Sequence, residues 1–250
     1  MARDEESGTV LVTGASRRLG RAIALDFANR GWRVAVHYRA SAAEALGLVA
    51  DIECRGGKAA AFAADLARLD ALSPLIEACA ERLGPPSCLI NNAACFERDT
   101  VATLDGKNWQ AHLDVNLRAP IFLAQAFARA LPEGTPGNVI NLIDQKILRL
   151  DPEFFSYTIA KAALWTATRT LAQALAPQIR VNAIAPGPVL PSSTQGEAAF
   201  ERESRSTLLE RPVAAEDVTA TIRFLLGTPS ITGQMIALDA GQHLAWRRSE

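Results

Sequence analysis

Short apolar runs alternate along this chain with longer segments whose apolar residues recur at helical spacing. The run "TVLVT" (9–13) leads through a glycine-bearing turn into a segment where Leu19, Ile23 and Phe27 share one helix face. The same alternation predicts further strands at 32–38, 58–66, 87–93, 137–143, 179–186 and 235–240, and helices at about 42–57, 106–131, 154–176 and 215–226.

Seven apolar strands separated by helices favour a parallel seven-stranded sheet with helices on both faces. We therefore expect one doubly wound α/β domain of the Rossmann type over residues 1–250. One long interval, about 187–214, is rich in Pro, Ser and Glu and carries no strand pattern. Long irregular segments in compact domains are commonly functional, so we expect a substrate loop or lid here.

Length and charge limit the function classes. A chain of 250 residues fits one well-cored domain, and a formal net charge of −1 gives no field that attracts nucleic acid or an anionic membrane. No stretch reaches the ~18 apolar residues of a membrane span, and the polar start predicts a cytoplasmic protein. The cysteines show no C-x-x-C spacing and only three histidines are present, so we expect reduced thiols and no metal site.

The first strand–helix junction predicts a nucleotide site. Gly14 and Gly20 flank this junction, where main-chain N–H groups and the helix dipole favour a pyrophosphate. Three arginines, Arg17, Arg18 and Arg21, strengthen the case for an anion. The alternative is a tight turn into a helix without a ligand.

The end of the second strand predicts which nucleotide binds. It reads "VHYRAS", without the carboxylate that bonds the ribose hydroxyl of NAD. A 2′-phosphate at this end would meet His37, Arg39 and Ser41, with Arg17 close by. The sequence therefore predicts NADPH, and the alternative is a solvated basic loop.

With these pieces in place, the chain resembles the short-chain dehydrogenase/reductase family along almost its whole length. The resemblance rests on "TGASRRLG", on "NNAA" (91–94), on "PG" (186–187) and on single residues that match in order, namely Asp65, Asn116, Tyr157 and Lys161. It implies a homotetramer built through the helices near 106–131 and 154–176.

The resemblance also implies roles for individual residues. Asp65 would lie beside the adenine, Asn91 would support the central strands, Asn116 would hold a proton-relay water, and Val189 would lie near the nicotinamide. Together with the turn, it predicts a cofactor-binding set of Gly14, Arg17, Arg18, Leu19, Gly20, His37, Tyr38, Arg39, Ser41, Asp65, Leu66, Asn92, Ala93, Tyr157, Lys161, Pro186, Gly187 and Val189.

Three positions depart from the common family pattern. Arg18 and Ala94 stand where glycines are usual, and Asp144 stands where a serine is usual. The pteridine reductase branch, including bacterial dihydromonapterin reductases, is similar to the chain in these places and carries an aromatic residue where Phe96 stands. This resemblance implies substrate contacts from Arg18, Phe96, Asp144 and Tyr157. Alternatively, Phe96 is a core residue and Arg18 only begins a helix.

The spacing of Tyr157 and Lys161 predicts a catalytic pair. Four residues apart on a helix, they share a face, so the Lys161 ammonium is expected to lower the pKa of Tyr157. Asp144 offers a carboxyl group that relays a proton or accepts hydrogen bonds from the donor-rich edge of a pterin. We take Asp144, Tyr157, Lys161 and Asn116 as candidate catalytic residues. The alternative is an exposed pair on an ordinary helix, with Asp144 as a cap.

These observations predict an NADPH-dependent reductase of a ring C=N bond in a pterin such as dihydromonapterin, dihydrobiopterin or a dihydrofolate-like molecule. Two alternatives stay open. One is a ketone or 3-oxoacyl reductase of the same fold, and the other is an NADPH-binding protein without turnover.

Overall fold

One parallel sheet of seven strands organises the computed structural model, which describes residues 8–191 and 196–245. Its strand order is β3-β2-β1-β4-β5-β6-β7, and every neighbouring pair runs parallel. The predicted doubly wound α/β fold is confirmed. The strands are β1 Thr9–Val12, β2 Arg33–Tyr38, β3 Lys58–Ala63, β4 Cys88–Asn91, β5 Gly137–Leu142, β6 Ile179–Pro186 and β7 Met235–Leu238.

Helices cover both faces of this sheet because the strands are apolar on both sides. Helices α1, α2 and α8 bury aliphatic residues against one face, and α3 and α5 do so against the other. The helices are α1 Arg18–Ala28, α2 Ala42–Cys54, α3 Leu72–Leu83, α4 Gly106–Leu113, α5 Ala119–Ala130, α6 Phe155–Leu175, α7 Glu197–Arg205 and α8 Ala215–Gly227.

The strand order reverses beside β1, which pairs with β2 on one side and β4 on the other. Connections on the two sides leave in opposite directions, so a crevice opens at the carboxyl ends of these strands. This crevice receives the segments that follow β1, β2, β4 and β5. It is therefore the part of the fold where the predicted site residues meet.

The observed elements differ from the predicted ones in three places. Helix α3 was not predicted, and the single helix expected at 106–131 is divided by a π-helical turn, Asp114–Arg118. The interval 187–214 is not irregular throughout, because it contains α7. That helix is rich in charged residues and buries little apolar surface, so its pattern was hidden. Residues 192–195 of the interval lie outside the described residues.

Two further properties concern the described residues only. None of their helices is long and apolar enough to cross a membrane. No group of three or more His, Cys, Asp or Glu side chains could hold a metal ion. The four cysteines are thiols and are not joined in disulfides, and burial raises the pKa of Cys79 to about 12.

Candidate active site

The turn after β1 is shaped by the absence of side chains. Gly14 has a positive φ of 62°, and a Cβ atom on Gly20 would lie 2.2 Å from the Gly14 carbonyl oxygen. The Asn92 side chain donates to the Thr13 carbonyl at 2.8 Å, and the Thr13 hydroxyl accepts from the N–H groups of Asn92 and Ala93. These bonds join the turn to the end of β4 and leave its outer side open.

The start of α1 suits an anion. Its N-cap residue, Arg17, has an extended backbone and a side chain that makes no capping hydrogen bond, and no acidic residue stands in the first turn. The first N–H groups of a helix lack intrahelical partners, so those of α1 point out of the turn with the positive end of the dipole. Arg18 has a positive φ of 55°, which explains why glycine is usual at this position.

His37 needs a correction, because it does not present a charge to the crevice. Its side chain is buried beneath the turn, where Nδ1 accepts the Gly14 N–H at 3.0 Å and Nε2 lies 3.1 Å from the Ala64 carbonyl oxygen. The proton therefore sits on Nε2. Burial lowers the pKa of His37 to about 4, so the ring is neutral and supports the turn from below.

Other residues predicted to bind the cofactor lie at the carboxyl ends of β1, β2 and β3, a region that we call the nucleotide end. Ser41 lies at the start of α2, with its hydroxyl 2.6 Å from that of Ser16. The exposed Arg17 guanidinium lies 3.7 Å from the Glu44 carboxylate, and Arg39 is exposed. Further along this edge lie Tyr38, Leu66 and Asp65, whose carboxylate accepts the Ala67 N–H at 3.0 Å.

Two asparagines of the predicted site form hydrogen bonds with other parts of the protein. Asn91 donates to the Asn141 side chain at 2.8 Å and so ties β4 to β5 inside the sheet. The fully buried Asn116 lies in the π-helical turn, and both polar atoms of its amide bond the main chain of Cys95 at 2.8 Å. Each polar atom of this amide makes one bond and retains capacity for a second, so the expected proton-relay water stays a prediction.

Asp144, Tyr157 and Lys161 lie close together; the spacing predicted this for Tyr157 and Lys161, and the family resemblance implied it for Asp144. The Tyr157 hydroxyl donates to Asp144 Oδ2 at 2.8 Å, while Oδ1 of the same carboxylate accepts the Lys146 N–H at 2.8 Å. The Lys161 ammonium donates to the Leu142 carbonyl at 2.6 Å and lies 5.8 Å from the Tyr157 ring centroid. Both Tyr157 and Lys161 are buried, so neither belongs to an ordinary exposed helix face.

The pKa directions at this cluster correct the expectation for Tyr157. Burial raises its pKa well above the ordinary value, and the charge of Asp144 raises it further. Burial also raises the pKa of Asp144 and lowers that of Lys161 to about 8. The phenol therefore keeps its proton at neutral pH, which suits a proton donor.

An aromatic wall stands beside the Tyr157 hydroxyl. The Phe96 ring contacts the Tyr157 ring edge-on at 4.7 Å and stacks on Phe154 at 4.3 Å with an interplanar angle of 6°. Phe96 is 37% exposed, so it is not a core residue. Phe154 was not predicted as part of the site, although the "FF" pair just before "SY" was a readable signal.

Arg18 reaches the loop after β6. Its guanidinium donates to the carbonyl oxygens of Leu190, at 3.0 Å, and Pro191. This loop begins at Gly187, directly after Pro186. A Cβ atom on Gly187 would lie 2.8 Å from the Asp239 Cα atom. Arg18 thus connects the nucleotide turn to the segment expected to cover the substrate. Val189, expected near the nicotinamide, is partly buried against the core.

Comparisons with known proteins agree on the fold and divide on the substrate. The family model adh_short_C2, described as enoyl-(acyl carrier protein) reductase, matches residues 14–243. A 3-oxoacyl-[acyl-carrier-protein] reductase from Synechocystis sp. is 34% identical over 92% of this chain and 95% of its own.

Two solved structures are similar at higher identity. FolM alternative dihydrofolate reductase 1 from Brucella suis, in complex with NADP, is 48% identical over 96% of each chain with a TM-score of 0.93. The Brucella canis protein of the same name, also complexed with NADP, is 47% identical over 99% of this chain and 98% of its own, with a TM-score of 0.95.

Proposed function

The chain belongs to the short-chain dehydrogenase/reductase family, and we propose that it uses NADPH to reduce a ring C=N bond of a pterin. The observation that carries this proposal is the hydrogen bond between the Tyr157 hydroxyl and the Asp144 carboxylate. It pairs a proton donor with a group able to bind the amino and N–H donors of a pterin edge.

The nucleotide end fits NADPH. The open turn and the uncapped start of α1 suit the pyrophosphate, held by main-chain N–H groups near Leu19 and Gly20. Arg17, Arg39 and Ser41 would hold the 2′-phosphate, because the end of β2 carries no carboxylate to repel it. The NADP complexes of the two Brucella relatives support this choice.

The chemistry divides between the cofactor and the protein. NADPH, when bound, supplies the hydride that adds to the ring carbon. Tyr157 gives its proton to the adjacent ring nitrogen, and the raised pKa ensures that this proton is present at neutral pH. Lys161 offsets the negative charge that forms on the phenolate, and Asp144, partly exposed, is the route by which Tyr157 regains a proton.

Asp144 also favours a pterin over a simple ketone. Each of its carboxylate oxygens already accepts one hydrogen bond, from Tyr157 or from Lys146, and each retains a lone pair for a substrate donor. A pterin edge presents such donors, whereas a ketone presents only an acceptor. The exposed part of Phe96 provides a surface on which a flat heterocycle stacks.

A second candidate function is reduction of a 3-oxoacyl group. The Synechocystis relative carries that name, and the family model is described by a related acyl reaction. In this case Asp144 would take the place of a serine without contributing to specificity. A third outcome is NADPH binding without turnover.

Replacement of Asp144 by serine separates these functions. We expect Asp144→Ser to lower kcat/KM for a dihydropterin by at least about tenfold, or roughly 1.4 kcal/mol, because serine lacks the second oxygen and the charge. Activity on a 3-oxoacyl substrate should not fall, since a hydroxyl still polarises a carbonyl. NADPH oxidation, followed by absorbance with both substrates, measures the two rates.

The controls decide among the candidates. Asp151→Ser removes a carboxylate that pairs with Lys146 on the protein surface, so it should leave both rates unchanged. Equal pterin reduction by Asp144→Ser and the parent would give the lead to the 3-oxoacyl function. Tight NADPH binding without turnover of either substrate would support the silent binding protein.

Two further parts of the proposal concern assembly and the loop. We propose that residues 187–191 and 196–214 form the substrate loop of a single domain, which the contacts of Arg18 with Leu190 and Pro191 support. We also propose a homotetramer, as the family resemblance implies, which gel filtration with light scattering would test.

A further inference from the structure

A buried chain of hydrogen bonds lies behind the aromatic wall. The Glu97 N–H donates to His112 Nε2 at 3.1 Å, His112 Nδ1 lies 2.6 Å from the Ser156 hydroxyl oxygen, and that hydroxyl bonds the Asp99 carboxylate. His112 and Ser156 are fully buried and Asp99 is 2% exposed. We refer to His112, Ser156 and Asp99 as the buried relay.

The donors and acceptors of the buried relay have one consistent assignment. Because His112 Nε2 accepts a main-chain N–H, the proton of the neutral ring sits on Nδ1 and is donated to the Ser156 oxygen. The Ser156 hydroxyl then donates its own proton to the Asp99 side chain. Burial lowers the pKa of His112, which keeps the ring in this neutral form.

The buried relay also forms the start of α6. Phe154, the N-cap residue of this helix, has a positive φ of 52° and makes no side-chain capping bond. Asp99 supplies the missing acceptors instead: its carboxylate accepts the Ser156 N–H at 3.2 Å, and its carbonyl accepts the Phe155 N–H at 3.3 Å. A carboxylate at this end also complements the helix dipole.

The buried relay connects, through His112 and Ser156, to the two groups that we expect to handle the substrate. Glu97 directly follows Phe96, and Ser156 directly precedes Tyr157. Between them, the His112 ring lies edge-on to the Tyr157 ring with centroids 5.9 Å apart. A displacement at either end therefore changes the distance between the stacking surface and the proton donor.

We propose that His112, Ser156 and Asp99 are positioning residues that fix Phe96 against Tyr157 in the substrate site. The proposal rests on the proposed function, in which Phe96 stacks on the substrate ring and Tyr157 protonates it. A buried carboxylate and imidazole are costly to desolvate, and apolar side chains would fill the same volume at lower cost. The polar version supplies directional bonds at both ends.

Two substitutions of His112 separate the ends of the buried relay. His112→Asn places an amide N–H near the Nδ1 position, so it keeps the bond to Ser156 and loses the acceptor for Glu97. His112→Gln reaches the Nε2 position, so it keeps the acceptor for Glu97 and loses the donor to Ser156. We expect His112→Asn to raise KM for a dihydropterin about tenfold with kcat little changed, because it releases the Phe96 side. His112→Gln should instead lower kcat about tenfold and keep KM within about threefold of the parent, because it releases the Tyr157 side.

NADPH binding and thermal melting of both variants check that they are folded. A role in packing alone would affect the two variants alike, so equal KM values in His112→Asn and His112→Gln would overturn the proposal. If His112→Asn fails to fold, Glu97→Pro replaces it, because proline removes the N–H of the same bond without changing the imidazole. If His112→Gln fails to fold, Ser156→Ala replaces it, because alanine removes the hydroxyl that Nδ1 contacts.

A second measurement needs no substrate. The chain has three histidines, so nitrogen NMR of histidine-labelled protein resolves their tautomers, with His112→Gln assigning one signal. We expect the proton of His112 on Nδ1 and that of His37 on Nε2 at neutral pH. A His112 ring protonated on Nε2, or on both nitrogens, would overturn the buried relay. Absence of turnover in the parent with the expected tautomer would instead reject the proposed function and the positioning role with it.

Discussion

At the nucleotide end of the site, side chains hold the main chain of the turn in place, whereas at the substrate end two side chains with acid–base chemistry bond each other. Thr13, Asn92 and His37 hold main-chain atoms of the turn after β1 and of the end of β4. Asp144 and Tyr157 bond each other directly. A site built from main-chain atoms requires that no side chain fills the space beside them. A site built from side chains changes its chemistry when one of them is substituted.

The two ends also differ in where their charges lie. At the nucleotide end, Arg17 and Arg39 are exposed and the buried His37 is neutral. At the substrate end, burial shifts the pKa values of Tyr157 and Lys161. The first arrangement suits binding of an anion, and the second suits a group that holds a proton for transfer.

The largest effect is expected from Gly20→Ala, which breaks the nucleotide end. Its Cβ atom would lie 2.2 Å from the Gly14 carbonyl oxygen and 2.7 Å from the Asn92 side chain, so the main chain of the turn must move. We expect NADPH binding to weaken at least about a hundredfold, because the helix N-terminus no longer meets the pyrophosphate. Fluorescence titration with NADPH measures this.

A matched control is Gly47→Ala, in the middle of α2, where a Cβ atom would meet nothing within 4 Å. It should keep NADPH affinity and raise stability by roughly 0.5–1 kcal/mol, because alanine loses less entropy in a helix. Similar NADPH affinities for the two variants would mean that the turn does not bind the cofactor.

The next effect breaks the substrate end and spares the nucleotide end. Tyr157→Phe keeps the ring contacts with Phe96 and His112 but removes the proton donor. We expect kcat to fall by about a hundredfold or more, as is typical for loss of a general acid, with NADPH affinity unchanged. Steady-state kinetics beside an NADPH titration measure both. If most of the parent kcat remained, Asp144 would be the donor to test next.

The strands and the catalytic spacing were predictable because both depend on local sequence. Seven apolar runs mark the sheet, and residues four apart on a helix share a face, so Tyr157 and Lys161 needed no tertiary information. The departure from serine at Asp144 was visible only through the family resemblance. Its contact with Tyr157 follows from the packing of the turn after β5, Gln145–Ile147, against α6.

The remaining parts depend on contacts between distant segments. Ser156 bonds Asp99, 57 residues away, and His112, 44 residues away, and no local pattern marks such pairs. Because His37 lies at the end of a strand, it was predicted to be a phosphate ligand. In the fold, its ring lies beneath the loop that follows β1. The predicted direction of the pKa shift of Tyr157 was wrong because burial and the Asp144 carboxylate both raise this pKa, and burial is a property of the whole fold.

A third prediction concerns stability at the nucleotide end. The pKa of His37 is about 4 in the fold and about 6.5 in the unfolded chain, so the unfolded state binds more protons between these values. The stabilisation is complete above pH 6.5 and is lost as the pH falls towards 4. Between pH 7 and 4.5, we expect His37 to cost roughly 2.5 kcal/mol of unfolding free energy.

Urea denaturation of the parent and of His37→Asn at pH 7 and pH 4.5 isolates the contribution of His37 to the free energy of unfolding. The asparagine oxygen still accepts the Gly14 N–H, but it does not titrate, so the variant should lose less stability on acidification. Parallel losses in the two proteins would show that His37 is not the group responsible.

The smallest effect sharpens the contrast in charge between the two ends. Arg17 is exposed at the start of α1, and its guanidinium lies 3.7 Å from the Glu44 carboxylate, which is a long distance for an ion pair. The side chain is therefore free to turn towards a 2′-phosphate beside Ser41. We expect Arg17→Ala to lower the preference for NADPH over NADH about tenfold, or roughly 1.4 kcal/mol, because one charge-assisted hydrogen bond is lost. Arg21→Ala removes the same charge from the same helix, but Arg21 pairs with Asp51 at 2.5 Å, so it should leave the preference unchanged. Ratios of kcat/KM for the two nucleotides measure the difference, and an equal fall in both variants would mean that net charge, rather than a contact at Arg17, selects the nucleotide.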